Sequence, residues 1–254
     1  MVQALLAVVA AAAVAMGVFV IGSRVWPKSW QQSGDEDSAG GMVLDLVNTF
    51  FVAVVAFVVV LCWQQYDNAQ NHTIAESKAL VATYWIAHDM PEPERQRVQD
   101  LLRNYTEQVI GQEWKVMDRE GRLSRTAQST LDAARDAVSG IQSDDSSVAD
   151  LRSKALDSLQ QVNDARQDRA MDVRRGIPGF LYIALWFSTA MVLLSPVLSG
   201  IRVSVKNVLM IGLLGLVVGA VLFQIHNLDR PFSRQTVVPR DAYENALSSY
   251  EQIT

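Results

Sequence analysis

Residues 42–63 read MVLDLVNTFFVAVVAFVVVLCW, and the fold turns on how this stretch is read. Its valines and phenylalanines suit a strand, yet a run of 22 residues is far longer than the usual strand of about 5–6. As a helix rising 1.5 Å per residue it covers about 33 Å, enough for a hydrocarbon core of about 30 Å. In hydrocarbon every backbone polar group needs a partner, and a helix supplies those partners within itself. Trp63 and Tyr66 close the stretch as an interfacial aromatic pair.

Three further runs lie outward from it. Val2 to Gly22 carries no charge. It lacks the basic leader of a secretory signal and exceeds the apolar length of one, so it reads as a first span. Gly179 to Leu198 and Val208 to Ile225 form the last pair, with Arg202 and Lys206 in a tight connection that makes them an antiparallel hairpin. Pro178 suits a helix start. Gly212, Gly215 and Gly219 put small residues at i, i+3 and i+7, open either to close helix contact or to a lipid-facing role. The expected fold class is an all-α integral membrane protein: four transmembrane helices with a cytoplasmic helical bundle inserted between helices 2 and 3. The boundaries are 1–64 for the first two spans and a short external loop, Ser33 to Gly41, 65–176 for the insertion, 177–228 for the last two spans, and 229–254 for a C-terminal tail.

Composition agrees. Half of the 254 residues are hydrophobic and 19% are charged, and the charges fall outside the four runs except for Asp45. A net charge of −5 gives no electrostatic case for nucleic acid. Cys62 is the one cysteine, which excludes an intrachain disulfide and a cysteine-built metal site. His72, His88 and His226 are scattered, and no zinc, nucleophile or phosphate-loop motif occurs. The expectation is no enzyme, no cofactor and no metal. Basic residues near the span ends set the orientation. Lys78, Arg166, Arg169, Arg174, Arg175, Arg230, Arg234 and Arg240 lie on the side of the insertion and both termini, against Arg24, Lys28, Arg202 and Lys206 opposite. That asymmetry puts both termini in the cytoplasm of a multi-pass cell-membrane protein.

Within the insertion the apolar period changes to that of amphipathic helices. One helix continues from the second span to about Asp89 and breaks at Met90-Pro91-Glu92-Pro93. The next, Glu94 to about Glu120, carries Val98, Leu102, Tyr105, Val109 and Val116 on one face and ends at Gly121. Ser124 caps a third with Ala127, Leu131, Ala134, Val138 and Ile141. A fourth follows with Val148, Leu151, Ala155, Leu159 and Val162.

Trp63 and Tyr66, Glu76 with Leu80, Pro91 and Pro93 with Arg95, Tyr105, Glu113-Trp114, Pro231-Phe232 and Pro239 follow one another in a characteristic order. In these residues the chain resembles the bestrophin-like membrane proteins of bacteria and plants, a family classed as a domain of unknown function. It departs at Arg234, where the pattern has glycine. The resemblance implies an oligomeric ion channel, a homo-oligomer that is pentameric if it follows bestrophins, with inorganic ions as its cargo and a preference for anions.

Three sets of residues stand out as candidate sites. Asp45, Asn48 and Thr49 share one face of the second span, which continues through Val52, Ala56, Val59 and Trp63: a polar mouth leading to an apolar throat. The other reading of this face sets Asp45 at headgroup level, paired with Arg24 or Lys28, and bonds Asn48 and Thr49 across to a neighbouring helix. Glu113 and Trp114 form a candidate structural clamp, the glutamate pairing with Arg166 or Arg169. Arg174, Arg175 and Arg230 are candidates for the cytoplasmic mouth. The function class that competes with the channel is a non-conducting scaffold or sensor whose helical bundle recruits a partner.

Overall fold

The computed structural model describes residues 2–25, 38–233 and 238–253. Lys28, Arg234 and residues 33–37 of the external loop lie outside them. Every regular element among the described residues is helical: α1 (Val2–Val25), α2 (Ser38–His88), α3 (Glu94–Gln108), a π turn (Val109–Glu113), α4 (Trp114–Glu120), α5 (Arg125–Ser139), α6 (Ser146–Arg174), α7 (Gly179–Leu198), α8 (Val205–Leu228) and α9 (Asp241–Ile253). Among the described residues four helices are long and apolar enough to cross a membrane, and the insertion falls between the second and third. The protein is a multi-pass membrane protein. Residues 38–41, expected in the external loop, already belong to α2.

The chain forms two compact units, Met1–Trp63 with Gly176–Asp229, and Gln64–Arg175 with Arg230–Thr254. In the first, the membrane unit, α1 packs along α8. Close approach is possible because α8 presents glycines: a Cβ on Gly215 would lie 2.5 Å from the Cβ of Ala15 and 3.0 Å from the carbonyl of Ala11, and one on Gly219 would overlap Ala11. Without a hydrophobic drive between helices in lipid, such contact is what van der Waals packing there needs. Val58 and Cys62 of α2 are buried with Leu181 and Leu185 of α7 and Ile225 and Leu228 of α8.

In the insertion unit the breaks follow local chemistry. Pro91 and Pro93 separate α2 from α3. Gly121 takes φ 61° to end α4, and the Ser124 hydroxyl accepts from the Ala127 N–H at 3.4 Å to start α5. Ala127, Leu131, Ala134, Val138 and Ile141 are all buried. Val116 is not. The π turn adds a residue to the α3–α4 run, and the inward face moves from 112 and 116 to Glu113, Trp114 and Met117. The segment set apart in sequence as a tail contributes to this core: Phe232, Val238, Tyr243, Ala246, Tyr250 and Ile253 are buried in it, and Tyr250 stacks on Tyr84 with centroids 4.1 Å apart.

Candidate functional site

In the insertion core two arginines and two glutamates meet. Arg166 and Arg169 lie one turn apart on α6, Glu76 on the inward face of α2, and Glu113 at the end of the π turn. All are at most 2% exposed. Arg169 forks onto Glu76, Nε to Oε2 at 2.9 Å and Nη2 to Oε1 at 3.1 Å, and reaches Glu113 at 3.5 Å. Arg166 meets Glu113 at 2.9 Å and donates to the Tyr105 hydroxyl, the Ser124 carbonyl and Gln128 Oε1 at 2.9, 3.0 and 2.8 Å. The Ser124 N–H donates to Glu113 at 3.0 Å, and Tyr105 donates to Glu76.

Aromatic rings complete the enclosure. The Arg169 guanidinium sits 5.8 Å from the Trp114 ring and 5.6 Å from Tyr243. Trp114 Nε1 donates to the Val238 carbonyl at 2.9 Å, and Arg240 donates to the Ile110 carbonyl inside the π turn at 3.1 Å. Taking ions out of water is costly, so such a set persists only when each charge has several bonded partners. Burial opposes the charge on Glu113, but Arg169, Arg166 and the Ser124 N–H outweigh it and hold the carboxyl below its ordinary value. Burial also pushes the Tyr105 and Tyr243 hydroxyls well up, which keeps both neutral beside the ion pairs. The Tyr243 hydroxyl is buried with no hydrogen-bond partner among the described residues.

The sequence-level candidates Glu113, Trp114, Arg166 and Arg169 thus meet at one place. Sequence reasoning missed Glu76, Tyr105 and Tyr243 as their companions. A signal existed for Glu76, an acid on the otherwise inward face formed by Ala69, Thr73 and Leu80. His72, read as isolated, bonds Asp172 at 2.6 Å.

The second-span set sits in the membrane unit on the side of α2 away from Val58 and Cys62. Asp45, Thr49, Val52, Ala56 and Trp63 are exposed on the single chain, Asn48 is half-buried, and Val59 is half-buried against the α2–α7–α8 cluster. The Thr49 hydroxyl donates back to the Asp45 carbonyl at 2.8 Å. Asp45 makes no ion pair with Arg24 or any other described residue. Arg174 and Arg230 are exposed, and Arg175 approaches Asp172 at 3.5 Å. Among the described residues, no group of three histidine, cysteine or carboxylate side chains is placed to hold a metal ion.

The model of the bestrophin-like domain matches residues 9–243. The chain belongs to the bestrophin-like family. The crystal structure of a membrane protein shares the bestrophin-like chain's fold, with a TM-score of 0.64 and 10% identity over 97% of this chain and 98% of that one. A comparison with curated proteins finds no match. Glu76, Tyr105, Glu113, Trp114 and Phe232, which carry the resemblance in sequence, all lie in or against the buried charge cluster.

Proposed function

We propose that this bestrophin-like protein is the subunit of an oligomeric anion channel, with α2 facing the conduction path and the charge cluster acting as a structural clamp in the insertion. The observation that carries the reading is the uncovered α2 face. Polar groups at membrane depth face water or protein rather than lipid, and Asp45 and Thr49 are exposed, with no described residue covering them. One four-helix set is too small to enclose a hydrated pore, so a ring of copies is required; a pentamer follows the resemblance to bestrophins. Val52, Ala56 and Val59 then form the apolar throat and Trp63 its inner end. A ring of Asp45 carboxylates attracts cations, whereas Arg174, Arg175 and Arg230 at a cytoplasmic mouth favour anions. The resemblance to bestrophins, which favour anions, tips the reading to anions.

The reversal potential under a salt gradient in planar bilayers, for native protein and Asp45→Asn, tests conduction. Anion-selective current is expected, and its absence from an assembled oligomer over a range of voltage and pH sinks the channel. A monomeric native mass in detergent removes the ring and the pore together. Both termini and the insertion are cytoplasmic in this reading. Because the native Cys62 is buried, a cysteine placed at Ser38 is expected to label from outside intact cells and one at Ser143 to stay unlabelled; the reverse pattern refutes the orientation.

The scaffold reading has one observation in its favour. In the insertion unit α2 and α9 border a groove of about 530 Å³ floored by Thr73, Ser77 and Ala246, and Trp85, one helical turn beyond its Val81 wall, is 53% exposed. A partner captured through Trp85 by a non-conducting oligomer is the outcome that would favour it.

A further inference from the structure

We infer that Arg174, Arg175 and Arg230 form a binding site for the headgroup of an anionic phospholipid, with Met171 against the start of its acyl chains. The inference replaces the mouth role given to these three arginines above with a lipid-facing one, and it stands whether or not the protein conducts. Its first support is convergence. In the membrane unit the Ile177 N–H donates to Asp229 Oδ1 at 2.7 Å, and a Cβ on Gly176 would come within 3.3 Å of the same oxygen. The chain entering α7 and the chain leaving α8 therefore touch. Arg175 and Arg230 are the covalent neighbours of Gly176 and Asp229, and successive Cα atoms lie about 3.8 Å apart, so the two arginines emerge side by side with Arg174 next to them.

The second support is electrostatic. Arg174 and Arg230 are exposed and make no ion pair with any described residue. Arg175 is 52% exposed, and its 3.5 Å contact with Asp172 is shared with His72, which holds that carboxylate at 2.6 Å. The nearest acid in sequence to Arg230, Asp229, is turned inward onto the Ile177 N–H. Cations point outward here and the acids are already committed, the reverse of Arg166 and Arg169, which are spent inside the core. Guanidinium groups fork onto phosphate oxygens. These three lie within five residues of the ends of two spans, at the depth of the lipid phosphates.

The third support separates a lipid from a free anion. Met171 is 48% exposed, and its spacing of i−3 and i−4 from Arg174 and Arg175 sets it on their side of α6. An uncovered apolar side chain beside uncovered cations suits a molecule that is phosphate at one end and hydrocarbon at the other, and inorganic phosphate gains nothing from it.

The test uses full-length protein in non-ionic detergent, titrated with phosphatidylglycerol or phosphatidylcholine, with retained lipid counted by native mass spectrometry. Phosphatidylglycerol is expected to be retained at concentrations at least about tenfold below those needed for phosphatidylcholine. Each single arginine-to-glutamine change weakens it about fivefold, and the triple change on the order of a hundredfold. Arg97→Gln, at an exposed arginine elsewhere in the insertion, leaves retention unchanged, and excess inorganic phosphate does not displace the lipid. The triple arginine-to-lysine variant keeps most of the binding, so a loss caused by misfolding is recognised even if the glutamine triple fails to fold. Equal retention of the two lipids, full binding by the folded glutamine triple, an equal loss in Arg97→Gln, or displacement by phosphate each overturns the site.

Discussion

The two units of this chain solve the packing problem with opposite materials. The insertion buries two arginines and two glutamates beneath tyrosine and tryptophan rings, whereas the α1–α8 contact of the membrane unit is made by glycine and alanine. In water the hydrophobic effect supplies a surplus from which a buried ionic set can be sustained. In lipid that drive is absent between helices, and close backbone contact replaces it. The lesson is that the same chain should fail in different ways in its two halves: the insertion through an orphaned charge, the membrane unit through added volume.

Removing one partner from the ionic set is the strongest way to break this comparison. Arg169→Met leaves Glu76 without its fork and is expected to cost about 3–5 kcal/mol, read as early unfolding or proteolysis of the insertion. Removing Arg166 and Glu113 together should cost less than the sum of the two single changes, since neither charge is then stranded; strict additivity would show that the set is not coupled. A smaller loss, roughly 1–3 kcal/mol, is expected for Gly215→Leu, because the new side chain meets Ala15 and the Ala11 carbonyl. The matched control is Gly17→Ala on α1, where a Cβ meets nothing within 4 Å; its thermal midpoint in detergent should hold or rise slightly. Trp114→Phe keeps an aromatic ring but loses the bond to Val238, at a cost of about 1–2 kcal/mol in the melting of the insertion.

The gentlest probe is acid. Glu113 is held below its ordinary value of 4.5, so the stability it contributes is complete above that value and is lost as pH falls through its lower folded-state value. Insertion stability should therefore drop in the window below about pH 4.5, and Glu113→Gln should flatten that part of the profile. A profile with the same acid slope in both proteins would assign the effect to other carboxylates.

How much was legible in the sequence differs between the units for physical reasons. The spans were plain because hydrocarbon forbids charge over about 20 residues, and the breaks at Pro91, Pro93 and Gly121 were plain because local backbone chemistry alone decides them. The pairing partners of Glu113 could be narrowed to Arg166 and Arg169, which recur at one helical turn. Glu76 and Tyr243 could not be joined to them, because their meeting depends on tertiary packing of α2, α6 and α9. The C-terminal segment was set apart as a tail, although Tyr243, Ala246, Tyr250 and Ile253 recur at helical spacing. Val116 was misplaced because a π turn leaves no mark in the apolar period until the face beyond it is known to have shifted.

That π turn also makes the segment sensitive to length as well as to composition. Losing a single residue between Val109 and Gln112 would let the run close into an ordinary α-helix with Glu113, Trp114 and Met117 still inward, whereas gaining one more would turn everything after it by about 100°. With that extra residue Trp114 would leave the guanidinium of Arg169 and the carbonyl of Val238 together, and Met117 would give way to Val116 at the inward position. Side-chain exchanges at exposed Gly111 or Gln112 disturb none of this. A one-codon insertion there should therefore be far more damaging than a one-codon deletion or than a substitution at the same two positions.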